Sequence, residues 1–158
     1  MQPVQATPAN RLDPSLVYLV VDDFDTMLQI TANQLRQLGA DNIVLAKDGR
    51  EALKILRAQR VHAVLSDWTM PVMSGIELLR ELRADNALRG LPFLMVTAEA
   101  DRARVQEAIA AGVSGVLLKP YPSHQLLDRL QRALLAKPRS VVRAPTRTGT
   151  SAIRLSAR

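Results

Sequence analysis

The stretch Ser66-Asp67-Trp68-Thr69-Met70-Pro71-Val72-Met73-Ser74-Gly75, "SDWTMPVMSG", decides how the rest of the chain is read. It continues the apolar run "HAVL" at residues 62 to 65, and an aspartate at the end of such a run needs a reason. Continuous aliphatic runs suit strands buried on both faces, and in sheets of that kind ligands gather beyond the carboxyl ends of the strands. Asp67 is therefore a candidate for chemistry, and Pro71 and Gly75 shape the loop after it.

Moving outward from Asp67, the pattern of a short apolar run followed by a stretch of helical period occurs five times between residues 15 and 136. Strands are expected at 16 to 21 ("LVYLVV"), 42 to 46 ("NIVLA"), 62 to 66 ("HAVLS"), 92 to 97 ("PFLMVT") and 115 to 118 ("GVLL"). Helices are expected near 26 to 38, 50 to 59, 75 to 84, 101 to 111 and 123 to 136. Gly39 and Gly112 stand where helix-closing glycines belong, and Asp48 and Ser123 are candidate N-caps. Ile76, Leu78, Leu79 and Leu82 give the third helix an apolar stripe. Alternating β and α predicts an α/β, doubly wound parallel sheet with helices on both faces and right-handed crossovers.

The chain of 158 residues has no cysteine, which excludes disulfides and thiolate metal sites, and it lacks the layout of a signal peptide. No run of roughly eighteen apolar residues offers a membrane span, so a cytoplasmic location is expected. The net charge of +6 sits in one place: residues 137 to 158 carry six basic residues and no acid, leaving 15 basic and 15 acidic residues in the rest. Three segments are expected: 1–14 flexible, 15–136 one domain, and 137–158 a basic disordered tail or linker able to meet an acidic surface. Nothing after residue 136 is long or apolar enough for an effector or DNA-binding domain, so none is expected in this chain.

Several polar residues share the carboxyl edge of the predicted sheet: Asp22 and Asp23 after strand one, Asp67 on strand three, Thr97 ending strand four, and Lys119 after strand five. Singly each has an ordinary explanation as a solvated turn, a β-branched strand residue or an exposed lysine. Jointly they do not. Three converging carboxylates raise one another's pKa and call for a cation, and hard oxygen ligands without His or Cys suit Mg²⁺. Lys119 and Thr97 supply a charge and a hydroxyl of the kind a phosphoryl group takes.

The segments "LVVDDFDTM", "VLSDWTMPVMSGIELL", "MVTAEA" and "AGVSGVLLKPY" resemble the CheY-like receiver domain of two-component response regulators, over about residues 15 to 136. The resemblance implies a flavodoxin-like (βα)5 sheet in the order 2-1-3-4-5, as one domain. It implies that Asp67 accepts a phosphoryl group from a cognate histidine kinase or phosphotransfer protein. Asp23, Asp67 and the Thr69 carbonyl would ligate Mg²⁺, with Asp22 acting through a metal-bound water. Thr97 and Lys119 would hold the phosphoryl group, Lys119-Pro120 would be cis, and output would be altered affinity for a downstream effector protein. Chemotaxis and service as the receiver module of a larger regulator both fit. One position departs from the family pattern: Val116 stands where CheY-like receivers carry an aromatic switch residue, three before the lysine, which puts the usual relay in doubt. Tyr121 lies on the wrong side of Lys119 to replace it. Trp68 reads as a partly exposed packing residue, His62 and His124 as surface residues, and Thr69 and Glu99 as neighbours of the pocket that tune the phosphate's lifetime.

Two other readings are held beside it. Asp23-x-Asp25 after a strand is the arrangement of a haloacid-dehalogenase-like phosphatase with Asp23 as nucleophile, although only Asp128 offers a further acid after the lysine. A receiver used as a phosphate-independent docking module is the other.

Overall fold

A computed structural model describes residues 10–136; the basic segment 137–158 lies outside the described residues. The elements are β1 (Val17–Val21), α1 (Asp25–Gln37), β2 (Asn42–Ala46), α2 (Gly49–Ala58), β3 (Ala63–Asp67), α3 (Gly75–Ala84), β4 (Phe93–Thr97), α4 (Arg102–Ala110), β5 (Gly115–Leu118) and α5 (Ser123–Leu135). Five parallel strands form one sheet in the order β2-β1-β3-β4-β5, the flavodoxin-like arrangement.

Strand periodicity sorts the core into two layers. Leu19, Val21, Val64, Phe93 and Met95 face one side and pack with Leu53 and Leu56 of α2, Leu78, Leu79 and Leu82 of α3, and Ala108 of α4. Tyr18, Val20, Leu65, Leu94, Val96 and Leu117 face the other and pack with Leu28 and Leu35 of α1 and Leu126 and Leu130 of α5. Each aliphatic run is thus covered on both faces, which is why the strands show no polar alternation.

The helix ends follow local chemistry. Asp48 caps α2 by accepting from the Glu51 N–H, and Gly39 and Gly112 follow α1 and α4 at φ +115° and +91°. Ser123 is not the N-cap of α5; Pro122 holds that position and Ser123 opens the helix. Two caps were not anticipated: Asp101 on α4, and a Ser74–Glu77 capping box on α3.

Two further readings change, and one buried arginine adds a contact that the sequence reading did not address. Residues 10–14, expected to end a flexible segment, are docked: Leu12 is 1% exposed and its N–H donates to the Leu38 carbonyl at 2.6 Å. His62 is half-buried, its Nδ1 accepting from the Val17 N–H at 2.9 Å, so it anchors the start of β1. Arg83, which a helical pattern leaves on the surface, is buried, and its guanidinium donates to the carbonyls of Gly112, Arg89 and Leu91. It fastens the end of α3 to the loops entering β4 and β5.

Candidate functional site

The carboxyl edge of the sheet is built by register. Val21 pairs with Ser66, so Asp67 lies one residue further on, level with Asp22 on the adjacent strand. Beyond them Thr97 pairs with Leu118, and the Lys119 N–H donates to the Thr97 carbonyl at 2.8 Å, carrying the lysine over the same edge. The Lys119-Pro120 bond is cis.

Asp22, Asp23 and Asp67 each offer one carboxylate oxygen, and these oxygens lie within 4.8 Å of one another. Lys119 Nζ stands 3.2 Å from Asp22 Oδ2 and 3.7 Å from Asp67 Oδ1. Each acid is held differently. Asp22 is buried, and its Oδ1 accepts from the Phe24 N–H, turning the chain into α1. Asp67 Oδ1 accepts from the Trp68 N–H at 2.8 Å, which sets the rotation of the carboxylate; Oδ2 accepts no hydrogen bond among the described residues. Asp23 Oδ1 is buried with no hydrogen-bond partner among the described residues.

That orphaned oxygen is the informative atom. A buried carboxylate oxygen without a donor is costly, and a cation answers the cost. Burial raises the Asp67 carboxyl above its ordinary value, Lys119 opposes the rise, Asp22 adds to it, the Trp68 N–H lowers it, and Asp23 raises it again. Three acids and one lysine leave net negative charge, and an all-oxygen donor set fits a hard divalent ion such as Mg²⁺.

The loop after Asp67 is pinned from several directions. The Gly75 N–H donates to the Trp68 carbonyl and the Gly49 N–H to the Met73 carbonyl, both across the loop. A Cβ on Gly75 would collide with the Asp67 carbonyl, so only glycine lets α3 start this close to the acid. Val72 takes up the turn at φ +70°.

Other predicted residues land as follows. Thr97 ends β4, but its hydroxyl is engaged with its own loop, donating to the Glu99 carbonyl and accepting from the Glu99 N–H. Thr69 and Glu99 are exposed. Val116 is half-buried against the α2–α4 layer. Tyr121 donates to Gln34 Oε1 on α1, away from that layer. Trp68 corrects the sequence reading: it is 7% exposed and part of the core, with the Arg104 guanidinium 5.2 Å above its ring. His124 is exposed.

The phosphatase alternative loses its supporting acids. Asp25 opens α1 and pairs with Lys47 at 3.0 Å, while Asp128 pairs with Arg132 within α5. Neither belongs to the carboxylate cluster.

The model of the response regulator receiver domain matches residues 18–131. The chain belongs to that family. This receiver is 45% identical over 121 residues to the chemotaxis protein CheY-3 of Vibrio cholerae serotype O1, an alignment covering 77% of this chain and 93% of the relative. Its fold is similar to the solved chemotaxis response regulator CheY4 of Vibrio cholerae, at 36% identity and a TM-score of 0.69, covering 75% of this chain and 98% of that one. It is also similar, at 30% identity and a TM-score of 0.70, to the receiver domain of a Pseudomonas aeruginosa sensor histidine kinase solved with a magnesium ion coordinated in its active-site cleft; that match covers 77% of this chain and 98% of the other. The receiver is a CheY-like signalling domain of two-component systems, not a conventional enzyme. Receivers bind Mg²⁺ in an acidic pocket and act between histidine kinases and effectors. No helix among the described residues is long and apolar enough to cross a membrane.

Proposed function

We propose that Asp67 is the phospho-acceptor of this receiver and that Asp22, Asp23 and Asp67, with the Thr69 carbonyl, hold Mg²⁺. The observation that carries the reading is the buried Asp23 oxygen, without a hydrogen-bond partner among the described residues, in one cluster with Asp22 and Asp67 at the sheet's carboxyl edge, where Lys119 meets those two acids. When bound, Mg²⁺ supplies positive charge to the phosphoryl oxygens.

A carboxylate oxygen of Asp67 attacks phosphorus, forming a P–O bond as the bond to the donor's histidine nitrogen breaks, and the imidazole leaves with that electron pair. The Trp68 N–H keeps the attacking carboxylate from rotating. Lys119, already shared between Asp22 and Asp67, pairs with the incoming phosphoryl oxygens and balances the added charge. The Thr97 hydroxyl exchanges its hydrogen bonds to Glu99 for one to the phosphoryl group, drawing the β4–α4 loop inward. Water attack on the acyl phosphate ends the signal, and Glu99 and Thr69 at the rim set how fast. A cognate histidine kinase or phosphotransfer protein is the donor. The output is altered affinity for an effector protein, and chemotaxis is the pathway we assign on the likeness to CheY proteins.

Intact mass spectrometry after incubation with Mg²⁺ and a small acyl-phosphate donor tests this. One phosphate should appear, acid-stable and alkali-labile, and it should be lost without Mg²⁺ and in Asp67→Asn. A wild type that binds metal but is never modified would make the domain a phosphate-independent docking module, and modification on another residue would remove Asp67 from its role.

A further inference from the structure

At the opposite edge of the sheet, where β4 and β5 begin, a cleft of about 260 Å³ opens between the end of α3, the loops entering both strands, and the last turns of α5. Its walls carry Arg83, Arg89, Arg129 and Arg132, with Gly112 and Ser114 among the other lining residues. Arg83 is spent on three backbone carbonyls, so it contributes a fixed charge and little contact. Arg132 pairs with Asp128 of its own helix and is 77% exposed, free to swing between acid and cleft. Arg89 and Arg129 make no ion pair or side-chain hydrogen bond with any group among the described residues. No Asp or Glu occurs in residues 1–9 or 137–158 either, so neither of those segments offers them an acidic side chain.

Four guanidinium groups against one carboxylate around one small volume is an arrangement that an anion relieves. The number and direction of the forks select its chemistry. Arg129 and Arg132, three residues apart on one helix face, approach from one wall and Arg89 from another. A planar carboxylate takes one bidentate fork in its plane, whereas the tetrahedral oxygens of a phosphate accept forks from several directions. The volume lies just below the usual range of about 300–1,000 Å³ for small-molecule sites. We infer that the arginine-lined cleft between the α3–β4 loop and the end of α5 binds a small anion bearing two or more linked phosphates. The ligand sits across the sheet from Asp67 and does not compete with phosphorylation there.

Calorimetric titration of the full-length chain with inorganic tripolyphosphate and, separately, with adenosine diphosphate tests the site, together with amide NMR shifts. Binding should be saturable, with shifts at residues 89–92, 112–114 and 129–136. It should weaken by about tenfold or more in Arg89→Gln/Arg129→Gln, the loss of one charge-assisted contact or more. Both side chains reach solvent, so that variant should keep its melting temperature and its modification by a phosphodonor. Equal affinity for the two probes assigns recognition to the phosphate chain alone, and tighter binding of adenosine diphosphate adds the nucleoside; both uphold the inference. Absence of shifts at these residues overturns it. So does binding that survives in Arg89→Gln/Arg129→Gln but disappears in Arg139→Gln/Arg143→Gln/Arg147→Gln, because the basic segment after residue 136 would then be the anion's only ligand.

Discussion

At the scale of single residues, Asp67, the proposed phospho-acceptor, works against the fold. The Asp67 carboxyl is held above its ordinary 3.8, with burial the largest cause. The folded state therefore holds that proton more tightly than the unfolded chain does. Stability linked to Asp67 is complete below pH 3.8 and is lost as pH rises through the raised value. At neutral pH in a chelator, Asp67→Asn should accordingly raise the urea midpoint, corresponding to about 1 kcal/mol of added unfolding free energy after the lost attraction to Lys119 is set against the relieved burial and repulsion. The gain should vanish in acid. A lower midpoint for the variant at neutral pH would mean that the Lys119 contact at 3.7 Å outweighs both. Trp68, the only tryptophan, reports the neighbourhood: its N–H bonds the acid and its ring lies in the core beneath Arg104.

At the scale of elements, what could be read in advance was what burial writes into residue type. Runs such as "LVYLVV" and "PFLMVT" announce two-sided strands because both faces of each strand enter a core, and the three acids with Lys119 were visible because each follows such a run. Contacts made across loops left no such trace. Arg83 stands in "RELRAD" like any surface arginine, and only the folded α3–β4 and α4–β5 loops bring three carbonyls to it. The direction of the Thr97 hydroxyl depends on the course of its loop, and the seat of Trp68 on α4 packing above it. Arg83 carries a prediction of its own. Arg83→Met fills a similar space but leaves the Gly112, Arg89 and Leu91 carbonyls without their donor, which should cost about 3 kcal/mol or more in denaturant unfolding. Arg83→Lys, with a point charge in place of a fork, should recover less than half of that. Modification at Asp67 should persist in both, since the fastening lies at the other edge of the sheet. An Arg83→Met midpoint within error of wild type would show that solvent replaces the guanidinium without cost.

At the scale of the whole molecule, the acidic site couples strands that are far apart in the chain: Asp22 and Asp23 follow β1, Asp67 ends β3, and Lys119 follows β5. The sheet is one hydrogen-bonded unit, so a cation on those carboxylates stabilises the domain as a whole and not one loop. Binding to the folded state alone adds stability as RT ln(1 + [L]/Kd), about 2.7 kcal/mol when free Mg²⁺ is a hundred times its Kd. For a domain of this size, where each kcal/mol moves the melting temperature by about 3–5 °C, it should rise by roughly 8–13 °C over that range. Asp23→Asn should flatten the dependence, because it removes the charge from the carboxylate whose Oδ1 is buried without a partner. A melting temperature indifferent to Mg²⁺ in the wild type would mean that Lys119 alone satisfies the cluster, through its 3.2 Å and 3.7 Å contacts to Asp22 and Asp67. A slope that survives in Asp23→Asn but is lost in Asp67→Asn would move the ion toward β3 and leave the orphaned oxygen as strain stored beside the acceptor.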